Sequence, residues 1–219
     1  MYEAVMFDLD GTLLDTLTDL ANATNRALED QGFPAHPVSA YRHFVGDGVA
    51  KLMERVLPSE CRDPGHVEVG GDLMKQAYAA CWAQNSAPYP GINGLLDQLS
   101  QAHMPMTILS NKPDDFTQAM VKALLPDWDF TMVRGALPNV PIKPDPCAAL
   151  EMLRQLGVPP SQCLYVGDTN TDMQTAINAG MFPVGVAWGF RDEQELIQSG
   201  AKAMLYCPDD LMSMLSHSG

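Results

Sequence analysis

Two aspartates near the start of the printed sequence are the residues best placed to do chemistry. An apolar run, Ala4–Phe7, leads directly into Asp8 and Asp10. Side chains two positions apart in a strand project to the same side, so the two carboxylates are predicted to lie together at the carboxyl end of this strand. Neighbouring carboxylates repel each other unless a cation neutralises them or one of the two keeps its proton. Both arrangements are useful in catalysis.

Three later strand-like segments also end in polar residues. One apolar segment ends in the hydroxyl of Ser110 and the amide of Asn111. Lys143 lies in a proline-rich loop just before a predicted helix. Asp168 follows a third predicted strand, and Asp172 comes one helical turn later. Because the carboxyl ends of parallel strands meet at one edge of a sheet, we expect all of these side chains at a common site.

This set of side chains favours phosphoryl transfer assisted by a hard cation. Carboxylate oxygens with no thiolate or clustered histidine beside them are the ligands that Mg²⁺ prefers. Phosphoryl transfer also requires a nucleophile, positive charge near the phosphoryl oxygens and an acid for the leaving oxygen, and this set contains each. The 5 cysteines are widely spaced and form no CxxC pair, so the sequence predicts neither a disulfide framework nor a zinc site.

The elements that must position these residues follow an α/β pattern. After about residue 87, predicted helices and strands alternate, which indicates a doubly wound, Rossmann-like parallel sheet with helices on both faces. Residues 17–86 show helical periodicity and no convincing strand. The sequence therefore predicts a core domain of residues 1–16 and 87–219, interrupted by an α-helical cap of residues 17–86.

The predicted cap opens on a helix start that contains acidic residues. Thr16 is expected to be the N-cap, and Asp19 stands where the acid of a capping box would be. We interpret Asp15 and Asp19 as acids that stabilise the helix dipole, without a part in the site.

Composition narrows the classes of partner. Acidic residues outnumber basic ones 27 to 13, and the formal charge of −14 would repel nucleic acid and anionic membranes. No apolar stretch approaches the length of a membrane span. The first predicted strand begins almost at Met1, which leaves no room for a signal peptide, so a cytoplasmic location is expected. A monomer or a homodimer is expected as well.

The four strand-end segments resemble the four motifs of the haloacid dehalogenase superfamily of phosphohydrolases. The segment Asp8–Thr12 is similar to motif I, Ser110–Asn111 to motif II, Lys143 to motif III and Gly167–Asp172 to motif IV. The four occur in the family's order, and the helical insert between the first two resembles the family's C1-type cap. The resemblance implies a Mg²⁺-dependent phosphatase that acts on a small phosphate ester.

The resemblance also implies a role for each matched residue. Asp8 would be the nucleophile that forms an aspartyl-phosphate and contacts the metal. Asp10 would act first as general acid and then as general base, with its carbonyl also touching the metal. Ser110 and the Asn111 backbone would bind the phosphoryl group, and Lys143 would pair with that group and with Asp8, which keeps the nucleophile ionised.

Two further positions complete the implied metal site, and one bears on the substrate. Asp168 would be a direct metal ligand, and Asp172 would lie close by, either as a direct ligand or through water. Thr12 is expected at the substrate, and a threonine there resembles the phosphatases, whereas the sugar phosphomutases of the family often have valine.

Two less specific segments are similar to the phosphoglycolate phosphatase branch of the family. These are Phe44–Val49 in the predicted cap and Trp188–Arg191 late in the core. Gly46 and Gly48 would let a cap loop approach the substrate closely. Phosphoglycolate is therefore the favoured substrate. Two alternatives remain open, a sugar phosphomutase, which Thr12 disfavours, and a non-enzymatic regulator that binds a phosphoryl group or a metal.

Overall fold

The computed structural model describes residues 2–216, which form two compact units. One unit contains the residues up to Leu14 and those from Pro88 onward, and the other contains Asp15–Ala87. The chain passes between the units twice, at Leu14–Asp15 (β2) and Ala87–Pro88 (β3), and these two passages form a two-stranded sheet. No helix within the described residues is long and apolar enough to cross a membrane.

The first unit is built on a six-stranded sheet in which every neighbouring pair of strands is parallel. The strand order is β5-β4-β1-β6-β7-β8. The strands other than the two already given are β1 (Ala4–Phe7), β4 (Met106–Pro113), β5 (Met132–Ala136), β6 (Cys163–Gly167), β7 (Phe182–Val186) and β8 (Ala203–Leu205). The predicted doubly wound fold class is confirmed.

The order of the strands creates a crevice at the centre of this sheet. From β1 the chain builds outward on one side through β4 and β5, and it then returns to the other side through β6, β7 and β8. Ligands of doubly wound sheets bind at such a reversal, beyond the carboxyl ends of the strands. The register aligns Phe7 with Ile108 on one neighbour and with Val166 on the other, so β1 and β6 end at nearly the same level, while β4 continues beyond them.

Helices cover this sheet, and one continuous apolar core lies beneath two of them. The helices of this unit are α5 (Ile92–Gln101), α6 (Asp114–Leu124), α7 (Cys147–Leu156), α8 (Asn170–Ala179), α9 (Glu193–Gln198) and α10 (Asp210–Ser216). Met6 of β1 and Tyr165 of β6 pack in one buried cluster with Met152 of α7 and Ala176 of α8. The strands are therefore fixed from beneath, while their carboxyl ends carry the polar residues.

Two details of this unit differ from the sequence prediction. The helix α9 and the two-residue strands were not predicted, since segments this short carry little periodicity. The strand β4 continues to Pro113, beyond the polar residues Ser110 and Asn111 at which the apolar segment ends, with a shift of register between Leu109 and Pro113. Polar residues fill that extension, which is why the apolar pattern ended too early.

The second unit is helical. Its helices are α1 (Leu17–Asp30), α2 (Tyr41–Phe44), α3 (Gly48–Val56) and α4 (Pro64–Ala79). The Asp63 side chain caps α4 by accepting from the backbone N–H groups of Gly65 and His66. A Cβ at Gly70 would lie 2.6 Å from Met53 Cε, so the absence of a side chain lets α4 pack against this methionine.

The helix start at Thr16 differs from the expectation. The Thr16 hydroxyl is buried and has no hydrogen-bond partner in the described part of the chain, so no capping box forms. Asp19 is buried and accepts hydrogen bonds from the backbone N–H and side chain of both Asn85 and Ser86, the shortest to each being 2.7 and 2.8 Å. Burial acts to raise the pKa of Asp19, but these hydrogen bonds hold it below its usual value. Asp19 therefore lies in the first turn of α1, as expected, but its carboxylate also holds the segment of Asn85 and Ser86.

Candidate active site

The ion pair between Asp8 and Lys143 lies at the centre of the candidate site. Asp8 follows β1 directly and is buried, and its backbone N–H donates to Val166 O at 2.9 Å. Lys143 Nζ lies 2.9 Å from Asp8 Oδ1 and 2.7 Å from Asp172 Oδ1. Burial acts to lower the pKa of Lys143, but attraction to Asp172 and Asp8 outweighs it and raises the pKa well above its usual value. The lysine therefore stays charged.

Asn111 holds the loop that carries this lysine. The Asn111 side-chain amide donates to Lys143 O at 3.0 Å, and its carbonyl accepts from Lys143 N at 2.9 Å. Lys143 Nζ also lies 5.7 Å from the centre of the Tyr165 ring. The backbone of Asn111 was expected to bind a phosphoryl group, and its side chain has a second task that the sequence did not indicate, which is to position Lys143.

Asp168 follows β6, and two other parts of the chain hold its carboxylate. It is fully buried and accepts from Thr12 Oγ1 at 3.0 Å and from Phe190 N at 2.8 Å. A Cβ at Gly189 would overlap with Asp168, so only glycine fits there. Thr12 is fully buried as well, and its hydroxyl is used by Asp168. Contact of Thr12 with a substrate stays a prediction, and the contact that its hydroxyl makes is the hydrogen bond that orients Asp168.

Asp172 has more partners than any other acid of the site. Together with Thr169 it forms a capping box at the start of α8. Its Oδ2 accepts from Asp168 N at 3.1 Å, from Thr169 N at 3.0 Å and from Thr169 Oγ1 at 2.8 Å, while Oδ1 receives Lys143. The carboxylate is therefore fixed in place by the protein.

Asp8, Asp168 and Asp172 form a group of acids that fits a divalent cation. Each offers a carboxylate oxygen, and these oxygens lie within 4.8 Å of one another. Asp8 Oδ1 is buried, and its contact with a charged group is the ion pair with Lys143 Nζ at 2.9 Å. Three buried carboxylate oxygens close together form a donor set of the kind that a hard cation prefers. The side chain of Asp10 is outside this group, and contact through its carbonyl stays a prediction.

Burial and neighbouring carboxylates raise the pKa values of Asp8 and Asp168. Burial is the largest cause for Asp8, followed by repulsion from Asp172, and the two outweigh Lys143 and raise the pKa of Asp8 to about 7. Burial and repulsion from Asp172 and Asp8 also raise the pKa of Asp168 well above its usual value. Lys143 was expected to keep Asp8 ionised, but among the protein's own groups the lysine does not suffice. A bound cation would supply the missing positive charge.

Asp10 is held by a lysine that the sequence reasoning missed. Lys112 Nζ donates to Asp10 Oδ1 at 2.9 Å and to Oδ2 at 2.8 Å. The Asp10 side chain is 16% exposed, while that of Lys112 is only 3% exposed. The sequence offers one signal for this contact, which is that Lys112 directly follows the polar residues Ser110 and Asn111. A charged side chain that is buried there needs a partner of opposite charge.

The remaining predicted residues lie in both units. Ser110 is buried within β4, where its hydroxyl accepts from Lys112 N at 3.3 Å. Gly46 and Gly48 lie in the helical unit and have φ values of +117° and +82°, which favour glycine. Between them, Asp47 pairs with Arg55 at 2.5 Å. Contact of these glycines with a substrate stays a prediction.

Comparison with known proteins identifies the family. The sequence model of the haloacid dehalogenase-like hydrolase family matches residues 5–186 of this chain. The chain therefore belongs to this hydrolase family, which confirms the resemblance found in the four motifs. The described sheet carries those motifs at its carboxyl edge, where the crevice lies.

Several relatives share most of their length with this chain. The phosphoglycolate phosphatase of Pseudomonas putida strain KT2440 is 33% identical over 217 residues, which cover 96% of this chain and 78% of the relative. The phosphoglycolate phosphatase of Chromobacterium violaceum is 31% identical and covers 89% of each chain. A crystal structure from Lactobacillus delbrueckii subsp. bulgaricus, provisionally assigned as a phosphoglycolate phosphatase, has a TM-score of 0.92 and 31% identity and covers 98% of each chain.

Proposed function

We propose that the protein is a Mg²⁺-dependent phosphatase that hydrolyses a small phosphomonoester through an aspartyl-phosphate on Asp8. The observation that carries the proposal is the meeting of Asp8, Lys143 and the acids Asp168 and Asp172 at one sheet edge. This arrangement provides a nucleophile, a fixed positive charge and a cation site within one crevice.

The residues that would hold Mg²⁺ are Asp8, Asp168 and Asp172, with the Asp10 carbonyl as a further candidate. When bound, the ion would neutralise negative charge on the transferring phosphoryl group. Thr12 and the Phe190 backbone would keep Asp168 oriented, and such outer partners strengthen metal binding.

The chain's own residues divide the reaction into two steps. In the first, an Asp8 oxygen bonds to phosphorus while the bond from phosphorus to the leaving oxygen breaks, and Asp10 gives that oxygen a proton. In the second, a water oxygen attacks phosphorus, Asp10 takes a proton from the water, and Asp8 is released. Lys143 and Ser110 hold the phosphoryl oxygens throughout.

Phosphoglycolate is the proposed substrate. It is the substrate in the names of the similar proteins from Pseudomonas putida and Chromobacterium violaceum. We assign the helical unit the role of a cap, with Gly46 and Gly48 in the loop that reaches the substrate.

All 5 cysteines are free, which suits the reducing cytoplasm where we place the protein. Nucleic acid is not proposed as a partner, and a monomer or homodimer stays our expectation.

Phosphate release from a panel of metabolite phosphates tests this function. The native protein should release inorganic phosphate from 2-phosphoglycolate with Mg²⁺ and lose this activity in EDTA. Asp8→Asn should abolish turnover while the far-UV circular dichroism stays native, and Asp127→Asn, an exposed aspartate of the same unit, should behave as native. A fully active Asp8→Asn variant would refute the mechanism. An isomerised sugar phosphate without release of phosphate would indicate a phosphomutase instead, and binding without turnover would indicate a regulator.

A further inference from the structure

Lys112 is a buried charge whose position the fold specifies closely. Its backbone N–H donates to Ser110 Oγ at 3.3 Å, and its carbonyl accepts from Thr117 Oγ1 at 3.2 Å. A Cβ at Gly135 of β5 would lie 2.7 Å from Lys112 O, so the neighbouring strand packs directly against this peptide. The main chain that carries the ammonium group is thus held on several sides.

The ammonium group of Lys112 meets both oxygens of Asp10. The two distances, 2.9 and 2.8 Å, are those of charge-assisted hydrogen bonds. The partners are 102 positions apart in the chain, and they come from the neighbouring strand ends of β1 and β4. Because Asp10 retains 16% exposure, this contact still leaves its carboxylate open to an incoming group.

A second lysine serves the other aspartate. Lys143 pairs with Asp8, whereas Lys112 pairs with Asp10. Asp8 and Asp10 therefore contact different lysines, which come from different parts of the chain. Lys143 also shares its charge with Asp172.

We propose that Lys112 is a positioning residue that fixes the orientation of the Asp10 carboxyl group for transfer of a proton to the leaving oxygen. The inference rests on the proposed function, in which Asp10 is the acid–base group. As the bond from phosphorus to the leaving oxygen breaks, that oxygen takes the Asp10 proton, and the attacking water later returns one. Lys112 transfers no proton: it holds both oxygens of the ionised Asp10, and it holds one of them while the other carries the proton.

The dependence of the rate on the leaving group separates this role from a structural one. Glycolate leaves from 2-phosphoglycolate as a basic alkoxide that needs a proton, whereas p-nitrophenolate leaves without one. Since kcat/KM reports the steps through phosphoryl transfer, Lys112→Met should lower kcat/KM about 100-fold for 2-phosphoglycolate and less than about fivefold for p-nitrophenyl phosphate. Lys122→Met removes an exposed lysine of α6 and should leave both values unchanged.

Two further variants test whether the effect passes through Asp10. In an Asp10→Asn background, Lys112→Met should change the ratio of the two kcat/KM values no further, as in a double-mutant cycle. Lys112→Arg keeps the charge but changes its geometry, so its ratio should lie between those of the native protein and Lys112→Met. This variant also decides the matter if Lys112→Met does not fold.

Three results would overturn the inference. One is an equal loss for the two esters in Lys112→Met, which would mean that the lysine supports only the fold. Another is a native ratio in Lys112→Arg, and the third is a further change of ratio in the Asp10→Asn background. Failure of the native protein to hydrolyse either ester would instead refute the proposed function, so the two failures are distinguishable.

Discussion

The charge on Asp8 should cost the metal-free protein stability, and Asp8→Asn measures that cost without any substrate. Asparagine keeps the shape of the protonated carboxyl group and removes the ionisable proton. Burial and repulsion from Asp172 raise the pKa of Asp8 from 3.8 to about 7. This difference of about 3 units corresponds to about 4 kcal/mol of free energy of unfolding.

The sign of the effect follows from the direction of the pKa shift. A folded-state pKa above the unfolded one means that the folded protein binds the proton more tightly. The stability that Asp8 contributes is fully present below about pH 4 and is lost as the pH rises through about 7. Asparagine has no such proton to lose. The free energy of unfolding of Asp8→Asn, relative to the native protein, should therefore rise by about 1.4 kcal/mol per pH unit across this window and then level off.

Urea unfolding in EDTA at several pH values between 5 and 8 checks this prediction. Asp127→Asn, which changes an exposed aspartate, should keep a constant difference from the native protein over the same range. Mg²⁺ should stabilise the native protein more than Asp8→Asn, because Asp8 is one of the proposed ligands. A difference between Asp8→Asn and the native protein that does not change with pH would refute the raised pKa.

Three other substitutions test contacts that support the site or the helical unit. Asn111→Ala removes two hydrogen bonds to the Lys143 backbone and should lower kcat for 2-phosphoglycolate about tenfold, measured as phosphate release. Thr12→Val removes the donor to Asp168 and should raise the Mg²⁺ concentration for half-maximal activity about tenfold. Asp19→Asn leaves buried donors without their acceptor and should lower the free energy of unfolding by about 3 kcal/mol, measured with urea.

Matched controls distinguish these effects from the general consequences of substitution. Asn93→Ala removes an exposed amide of α5 and should keep the native kcat. Thr12→Ser retains a hydroxyl and should keep the native requirement for Mg²⁺, so an equal shift in Thr12→Ser and Thr12→Val would contradict the role of the hydrogen bond. Asp15→Asn changes an exposed acid beside the same helix start and should have little effect on stability. Equal destabilisation by Asp15→Asn and Asp19→Asn would contradict the importance of the buried contacts.

The sequence reveals much of the site because several of the predicted acids directly follow a recognisable strand. Asp8 comes directly after the apolar run of β1, and Asp168 comes directly after that of β6. In a parallel sheet, the end of a strand is also a position in space, so the order of the motifs along the chain predicts a shared edge. The described sheet brings those ends to one level.

Contacts between polar residues far apart in the chain could not be predicted in this way. Lys112 and Asp10 are 102 positions apart, and Asn111 and Lys143 are 32 apart. Hydrophobic periodicity reports which face of an element is buried, but it does not report which polar group meets another inside the fold. The partners of Asp19 were missed for the same reason, since they follow it by 66 and 67 positions.

The separate lysines support the proposal that two aspartates only two positions apart perform different chemistry. Asp8 is deeply buried beside Lys143 and Asp172, so its charge depends on the balance among neighbouring ions. Asp10 is partly exposed, and Lys112 holds it by both oxygens. A nucleophile requires an oxygen fixed in line with phosphorus, whereas an acid–base group must exchange protons with a leaving oxygen and with water. The buried position suits the first task and the partly exposed position suits the second, so the fold itself distinguishes the two carboxylates.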